Sequence, residues 1–379
     1  MSSQAYTPGL KRKEMYLVRK IRKLPIPGEI LVKEKDNVSP ETVVARTKIS
    51  GVPQIVGAAL DLGVDPRNVE RLMVKKIGER TSKGEVIALY EAFFGLIKKN
   101  CLSPTAGTIE SCSPITGQIV IREPERTVEL RAYIPGTVTQ VIGDEGAVVE
   151  CPAALIQGIF GIGGETHGEL TIVKNPDGVM DHEDIFTEHR GKVIVGGATI
   201  TSKALQTARN VGARGVVTGG ISDRDLTDFL GYTVGVAITG HEDAGLTLIV
   251  TEGFGRMPMS EKIFNLFKRF EGHTACINGA TQIRAGVIRP EIIIPRPDIT
   301  KDIIEKEEFE SELIPVGLRP GTSIRIIREP YLGALGTVTK LLSETQVIET
   351  MSTVRVLEAV LEGGKHIIVP RANVEIIEE

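Results

Sequence analysis

Glycine and proline cut this chain into strand-length apolar runs, and that punctuation leaves few folds open. Proline has no N–H to give to a ladder, and glycine supplies the backbone freedom that sharp reversals need. Forty-one Gly and twenty Pro stand among many Ile and Val in 379 residues, which predicts many short strands joined by tight turns. A chain this long divides into about two or three cores, since single domains run ~100–150 residues.

One stretch breaks the pattern. Residues 193–197 read as an apolar strand, and 202–211 carry helical spacing through Ala204, Leu205, Ala208 and Val211. A strand at 215–220, a helix at 223–230 and strands at 233–239 and 246–251 follow, then a helix at 260–270 and a strand at 274–278. Phe264, Phe267 and Phe270 would anchor that last helix in the core. Such alternation predicts an α/β domain with a largely parallel sheet over residues 191–296.

Ahead of it, residues 25–164 repeat a strand, polar turn, strand unit: 32–45 match 74–88 in pattern. Pro104, Pro114 and Pro135 each open a turn that leads into an alternating strand. Regular short strands predict a small sandwich or barrel, with 53–62 as an inserted short helix. Residues 165–190 are expected as a connector, entered through a buried apolar hinge at 158–165. Residues 297–316 read as an acidic linker or exposed helix, and 317–379 as a last small β unit. There an apolar run through Ile324, Ile326 and Ile327 ends at Pro330, Gly333 and Gly336 allow the reversal into Thr337 and Val338, further strands follow at 354–361 and 366–369, and 370–377 closes the unit. The expected class is multidomain β and α/β.

Three resemblances attach to these units. Residues 317–379, with the Pro330-Tyr331-Leu332-Gly333 turn, resemble the KOW module, an SH3-like barrel of transcription-elongation factors and ribosomal proteins that binds and does not catalyse. Residues 25–164 are similar to the barrel-sandwich hybrid of biotinyl and lipoyl carriers. No Met-Lys-Met or Asp-Lys-Ala tripeptide occurs, so no attachment lysine and no cofactor are assigned. Residues 196–220 resemble the swivelling domain of phosphoenolpyruvate-utilising enzymes, whose Thr-Ser-His-Ala corresponds to Thr201-Ser202-Lys203-Ala204. Lys203 stands where the phosphorylated His would be, so only the swivelling-type α/β fold is implied, not phosphotransfer.

The formal charge of −4 gives no general attraction for polyanions. Residues 1–24 are a basic arm, with Lys11, Arg12, Lys13, Arg19, Lys20, Arg22 and Lys23 against Glu14. The arm reads as a solvated tail, or as a contact for RNA, the ribosome, anionic lipid or an acidic partner. From residue 317 onward seven basic residues face eight acidic ones, which favours protein over RNA for the last unit. No apolar run reaches the ~20 residues of a membrane helix, and the N-terminus shows no apolar signal core. Cys101, Cys112, Cys151 and Cys276 form no C-x-x-C pair, which predicts reduced thiols and a cytoplasmic setting.

Candidate sites follow the predicted parallel sheet, because ligands gather beyond the carboxyl ends of its strands. Gly196, Gly197, Thr218, Gly219, Gly220, Thr251 and Glu252 fall there as ligand-binding candidates, although the same glycines serve equally as tight-turn residues. His241, Glu242, Asp243 and Lys203 are the candidate working groups of an enzyme, with no catalytic set assigned. His182 and His189 share a face if helical, but an exposed connector helix explains them better than metal, and no metal site is assigned. Tyr331, Leu332 and Leu335 are the candidate partner-binding residues. The leading expectation is a non-enzymatic adaptor or scaffold, more a binder than an enzyme, acting in transcription- or translation-linked assemblies. The alternatives are an enzyme or sensor for a small phosphorylated or carboxylated ligand at the α/β domain, and a structural subunit of a homomeric assembly.

Overall fold

Gly215–Ile221 is buried along its whole length, as expected of a parallel strand covered on both faces. In the computed structural model, which describes residues 10–92, 97–232, 244–281, 288–304, 318–347 and 353–378, it lies inside a mixed sheet of sixteen strands. The strands that position the site are β1 (Leu10–Lys23), β2 (Gly146–Gln157), β3 (Phe160–Ile162), β4 (Glu165–Ile172), β5 (Lys192–Val195), β6 (Gly215–Ile221), β7 (Thr247–Phe254), β8 (Thr274–Asn278) and β9 (Glu291–Pro295). Their spatial order is β3-β7-β6-β5-β4-β8-β9-β2-β1. β4, β5, β6 and β7 run parallel to one another, whereas β3 pairs antiparallel with β7, and β8, β9, β2 and β1 continue antiparallel from β4.

Strand alternation sorts the core onto two faces. Ile194, Val216 and Leu248 pack under α1 (Ser202–Val211) and α2 (Asp223–Leu230), through Ala204, Leu205, Ala208, Leu226 and Phe229. Val193, Val195, Val217 and Ile249 pack under α3 (Glu261–Arg269), through Ile263, Phe264, Phe267 and Phe270. Local chemistry sets the helix ends. The Thr201 and Ser222 hydroxyls accept the Ala204 and Asp225 N–H groups, and Gly212 ends α1 in the left-handed region.

Beyond β1 the same sheet continues into five more strands, β10 (Ser323–Ile326), β11 (Leu335–Val347), β12 (Thr353–Leu361), β13 (His366–Pro370) and β14 (Val374–Glu378), in the order β14-β10-β11-β12-β13. They enclose a separate apolar cluster of Ile324, Ile326, Val338, Leu357, Ala359 and Val369. A 3-10 turn, Arg371–Asn373, leads into β14. Of the short strands between residues 29 and 142, Gly136–Ile142 pairs with β2 and with Asn37–Val38 and so joins the large sheet, and the others form smaller sheets of four, three and two strands. Residues 56–121 close around their own cluster, which includes Leu62, Ile87, Ile109 and Ile119.

Several expectations change on this frame. The described part of the basic arm is not a solvated tail: β1 pairs antiparallel with β2 through residues 12–23, and parallel with β14 at Leu10 and Lys11. Its charges meet carboxylates, with Arg12 on Glu252, Arg19 on Glu150, Lys20 on Glu291, Arg22 on Glu165 and Lys23 on Glu145. Residues 53–62 are not all helix. Pro53–Val56 pairs with Ile119–Arg122, because Ile55 and Val56 suit a strand, and helix begins only at Ala58 after Gly57. The hinge stretch contributes β3, which pairs with β7, and the connector contributes β4, which is interior to the sheet. Residues 182–189 make two 3-10 turns instead of a helix. Residues 301–304 are helical, and the rest of the acidic stretch to 316 lies outside the described residues. Among the described residues no helix is long and apolar enough to cross a membrane.

Candidate functional site

The carboxyl ends of β5, β6 and β7 lie where the strand pattern predicts, but the chain itself fills the space beyond them. A methyl group on Gly219 would sit 2.1 Å from the Met257 carbonyl oxygen, and one on Gly220 would sit 2.2 Å from that of Gly255. The segment 255–259 crosses so closely that Gly255 N–H donates to the Ile221 carbonyl and Met257 N–H to the Ala198 carbonyl. Gly196 meets the Lys174 backbone in the same way, at 2.4 Å, and Gly197 faces the Thr199 carbonyl. The Thr218 hydroxyl donates to the Gly197 carbonyl and the Thr251 hydroxyl to the Thr218 carbonyl, both at 3.3 Å. These residues meet neighbouring backbone.

The N-terminus of α1 carries carboxylates from the chain's own side chains. Asp181 accepts the Thr201 hydroxyl at 2.8 Å, and Asp225 accepts the Ser202 N–H at 3.0 Å. Hydrogen bonds from the His182 side chain, the His182 backbone and Thr201 hold the Asp181 carboxyl down at about 2. Lys203 sits one residue into that helix with an exposed side chain. His241, Glu242 and Asp243 lie outside the described residues. His182 bonds to Asp181, whereas His189 is buried and its Nδ1 accepts the Phe186 N–H at 2.9 Å. Desolvation lowers the His189 pKa, as burial of a base should. Among the described residues no three His, Cys, Asp or Glu side chains group as a metal site. Burial pushes the thiols of Cys101, Cys151 and Cys276 up to about 12, which keeps them protonated and weakly nucleophilic.

Glu252 behaves differently from its neighbours in β7. It faces the junction between the parallel strands and the C-terminal strands, where Arg12 of β1 donates from Nη2 to its Oε2 at 3.1 Å. Only 7% of the Arg12 side chain and 4% of the Glu252 side chain are exposed. The other oxygen, Oε1, accepts the Ser260 N–H at 3.3 Å, at the start of α3. From the C-terminal strands comes Arg325 of β10, also buried, whose Nη1 lies 3.9 Å from Glu375 of β14. Arg289 pairs with the same Glu375. Burial lowers the Arg325 pKa, Glu252 and Glu375 oppose that shift, and Arg12 and Arg289 reinforce it. Three guanidinium groups thus share two carboxylates. Arg12 Nε, Arg325 Nε and Ser260 Oγ are buried without a hydrogen-bond partner among the described residues.

A cavity of about 260 Å³ opens beside this cluster, bounded by Arg12, Ser260, Ile263, Leu335, Leu361 and Ile377. Leu335, expected as a partner contact, lines this cavity, while Tyr331 and Leu332 lie in the loop before β11. Tyr331 packs against the apolar cluster of the C-terminal strands with Lys365 Nζ 4.7 Å above its ring, and Leu332 is left 50% exposed. Spacing alone missed Arg12, Arg325 and Glu375. Their signal is alternation: Arg325 sits between the buried Ile324 and Ile326, so its side chain leaves β10 on the face opposite their apolar cluster.

No protein-family model matches the chain, and no curated protein matches it.

Proposed function

We infer that this chain is a non-enzymatic modular adaptor that presents its C-terminal barrel to a protein partner in a transcription- or translation-linked assembly. The five-strand order β14-β10-β11-β12-β13, with a 3-10 turn before the last strand, supports reading that barrel as a KOW-type, SH3-like module. The short paired strands of residues 29–142 support a barrel-sandwich hybrid. The parallel strands under α1 and α2 support a swivelling-type α/β unit.

The carrying observation is Leu332. Half of it is open to solvent, on a loop whose neighbour Tyr331 is braced by the barrel core and Lys365. A braced aromatic beside an exposed aliphatic is the composition of an interface anchor. The arm argues for protein over RNA, since Arg12, Arg19, Lys20, Arg22 and Lys23 of β1 are committed to internal carboxylates and leave little phosphate-binding charge. A homomeric assembly is the second reading. It rests on β13, which ends the strand order with Ile368 55% exposed and pairs only with β12 among the described strands.

Leu332→Asp tests the first reading with little disturbance of the fold. Affinity purification from the native lysate, with ribonuclease, should retain a specific partner on the wild-type chain and lose it about tenfold or more on the variant, as for a hot-spot residue. Equal recovery on both chains at an unchanged melting temperature would refute the adaptor reading. Elution of the purified chain as a multimer, abolished by Ile368→Lys, would favour the homomer.

A further inference from the structure

The cavity of about 260 Å³ lies between α3 and the outer face of the C-terminal strands. Strand alternation builds its sheet wall. Ile324, Val338 and Ala359 turn into the apolar cluster of those strands, so Ser323, Thr337 and Val360 turn the other way. The register sets these three side by side across β10, β11 and β12. Leu335, two residues before Thr337, shares their face. Glu362 follows β12 opposite Leu335, because its N–H donates to the Leu335 carbonyl at 2.9 Å. The helix wall is one turn of α3, with Lys262, Ile263 and Leu266. Mostly aliphatic walls with a few polar groups are the make-up of a small-molecule site. The Ser323 and Thr337 hydroxyls and the Glu362 carboxylate make no hydrogen bond or ion pair among the described residues. Lys262 brings the opposite charge from the helix wall, and its three N–H donors let it hold a ligand besides its other contacts.

We propose that this cavity binds a free aliphatic α-amino acid, with its ammonium on Glu362 and the Thr337 hydroxyl, its carboxylate on Lys262, and its side chain against Ile263, Leu266 and Leu335. Charge selects the zwitterion. A simple anion would meet Glu362 and a simple cation would meet Lys262, whereas a molecule carrying both groups on one carbon satisfies both walls. Size limits the side chain, because 260 Å³ lies just under the ~300 Å³ at which pockets for drug-sized ligands begin. The inference goes beyond the adaptor reading, and Leu332 is no part of the cavity wall, so either can fail without the other.

L-leucine is the probe, titrated calorimetrically into the full chain. Beside it run 4-methylpentanoate, which lacks the ammonium, 3-methylbutylamine, which lacks the carboxylate, and L-alanine, which lacks most of the side chain. The wild type should bind leucine saturably. The two singly charged analogues should bind about tenfold or more weakly, as the loss of a charged hydrogen bond predicts. Alanine should also bind about tenfold or more weakly, through lost apolar burial. Glu362→Gln alters an exposed side chain that makes no bond in the fold, and should weaken leucine binding about tenfold. Leu335→Trp should abolish binding by filling the cavity, with the unfolding midpoint retained as proof of folding. Absent saturation at millimolar leucine, wild-type affinity in Glu362→Gln, or an analogue that binds as tightly as leucine would each overturn the proposal.

Discussion

Gly219 has no room for a side chain, because its Cβ position lies 2.1 Å from the backbone oxygen of Met257. That contact is made by main chain on both sides, so no rotamer can relieve it. Gly219→Ala must therefore push the 255–259 segment off the strand ends, at a cost of about 1–3 kcal/mol from overpacking. A drop in the urea midpoint with an unchanged slope would register this, and a midpoint equal to wild type would mean that the segment does not press on β6. Glycine at a strand end has the same appearance in sequence whether a ligand or the chain's own backbone approaches it. Thr218 and Thr251 share the ambiguity, since a hydroxyl available to a substrate and one bonded to a carbonyl look alike in sequence.

At the level of elements, α1 shows how a helix start can be complete without a ligand. Thr201, Asp181 and Asp225 supply the acceptors and the negative charge that its first turn requires. The Asp181 carboxyl, ordinarily near 3.8, is held at about 2 in the folded chain. A depressed carboxyl pKa contributes stability that is fully present above the unfolded value and is lost as pH falls through the folded one. Asp181→Asn should therefore lower the urea midpoint at pH 6. The gap from wild type should narrow as pH falls from about 4 towards 2, as linkage requires. A gap that stays constant across that range would show that the carboxylate charge is not what matters. The helices of this unit were readable because caps, left-handed glycines and apolar spacing all lie within one or two turns. β1 was not readable, because basic residues in alternating sequence become an internal strand only when carboxylates from β2, β4, β7 and β9 come to meet them.

For the molecule as a whole, the junction of the parallel strands with the C-terminal strands is held by a chain of charges, Arg12–Glu252 on one side and Arg325–Glu375–Arg289 on the other. β1 reinforces it, pairing with β2 along most of its length and with β14 at its first residues. Removing one member of a buried pair leaves an uncompensated charge, so Glu252→Gln should cost about 3–5 kcal/mol. Because Arg12 and Arg325 come from distant strands, the parallel strands and the C-terminal strands should both become sensitive to protease in the variant. Cleavage confined to the C-terminal strands, with the parallel strands as stable as before, would show that the pair does not couple them.

Alternation, turn punctuation and cap residues were enough to place α1, α2, α3 and most of the described strands of the α/β unit, because each signal acts between residues a few positions apart. Which buried arginine meets which carboxylate was decided only by the tertiary structure: Arg12 and Glu252 stand 240 positions apart, and nothing in the spacing of either links them. The same holds for the crevice and the cavity. Whether a space beyond a strand end stays open depends on where a distant segment of backbone comes to rest.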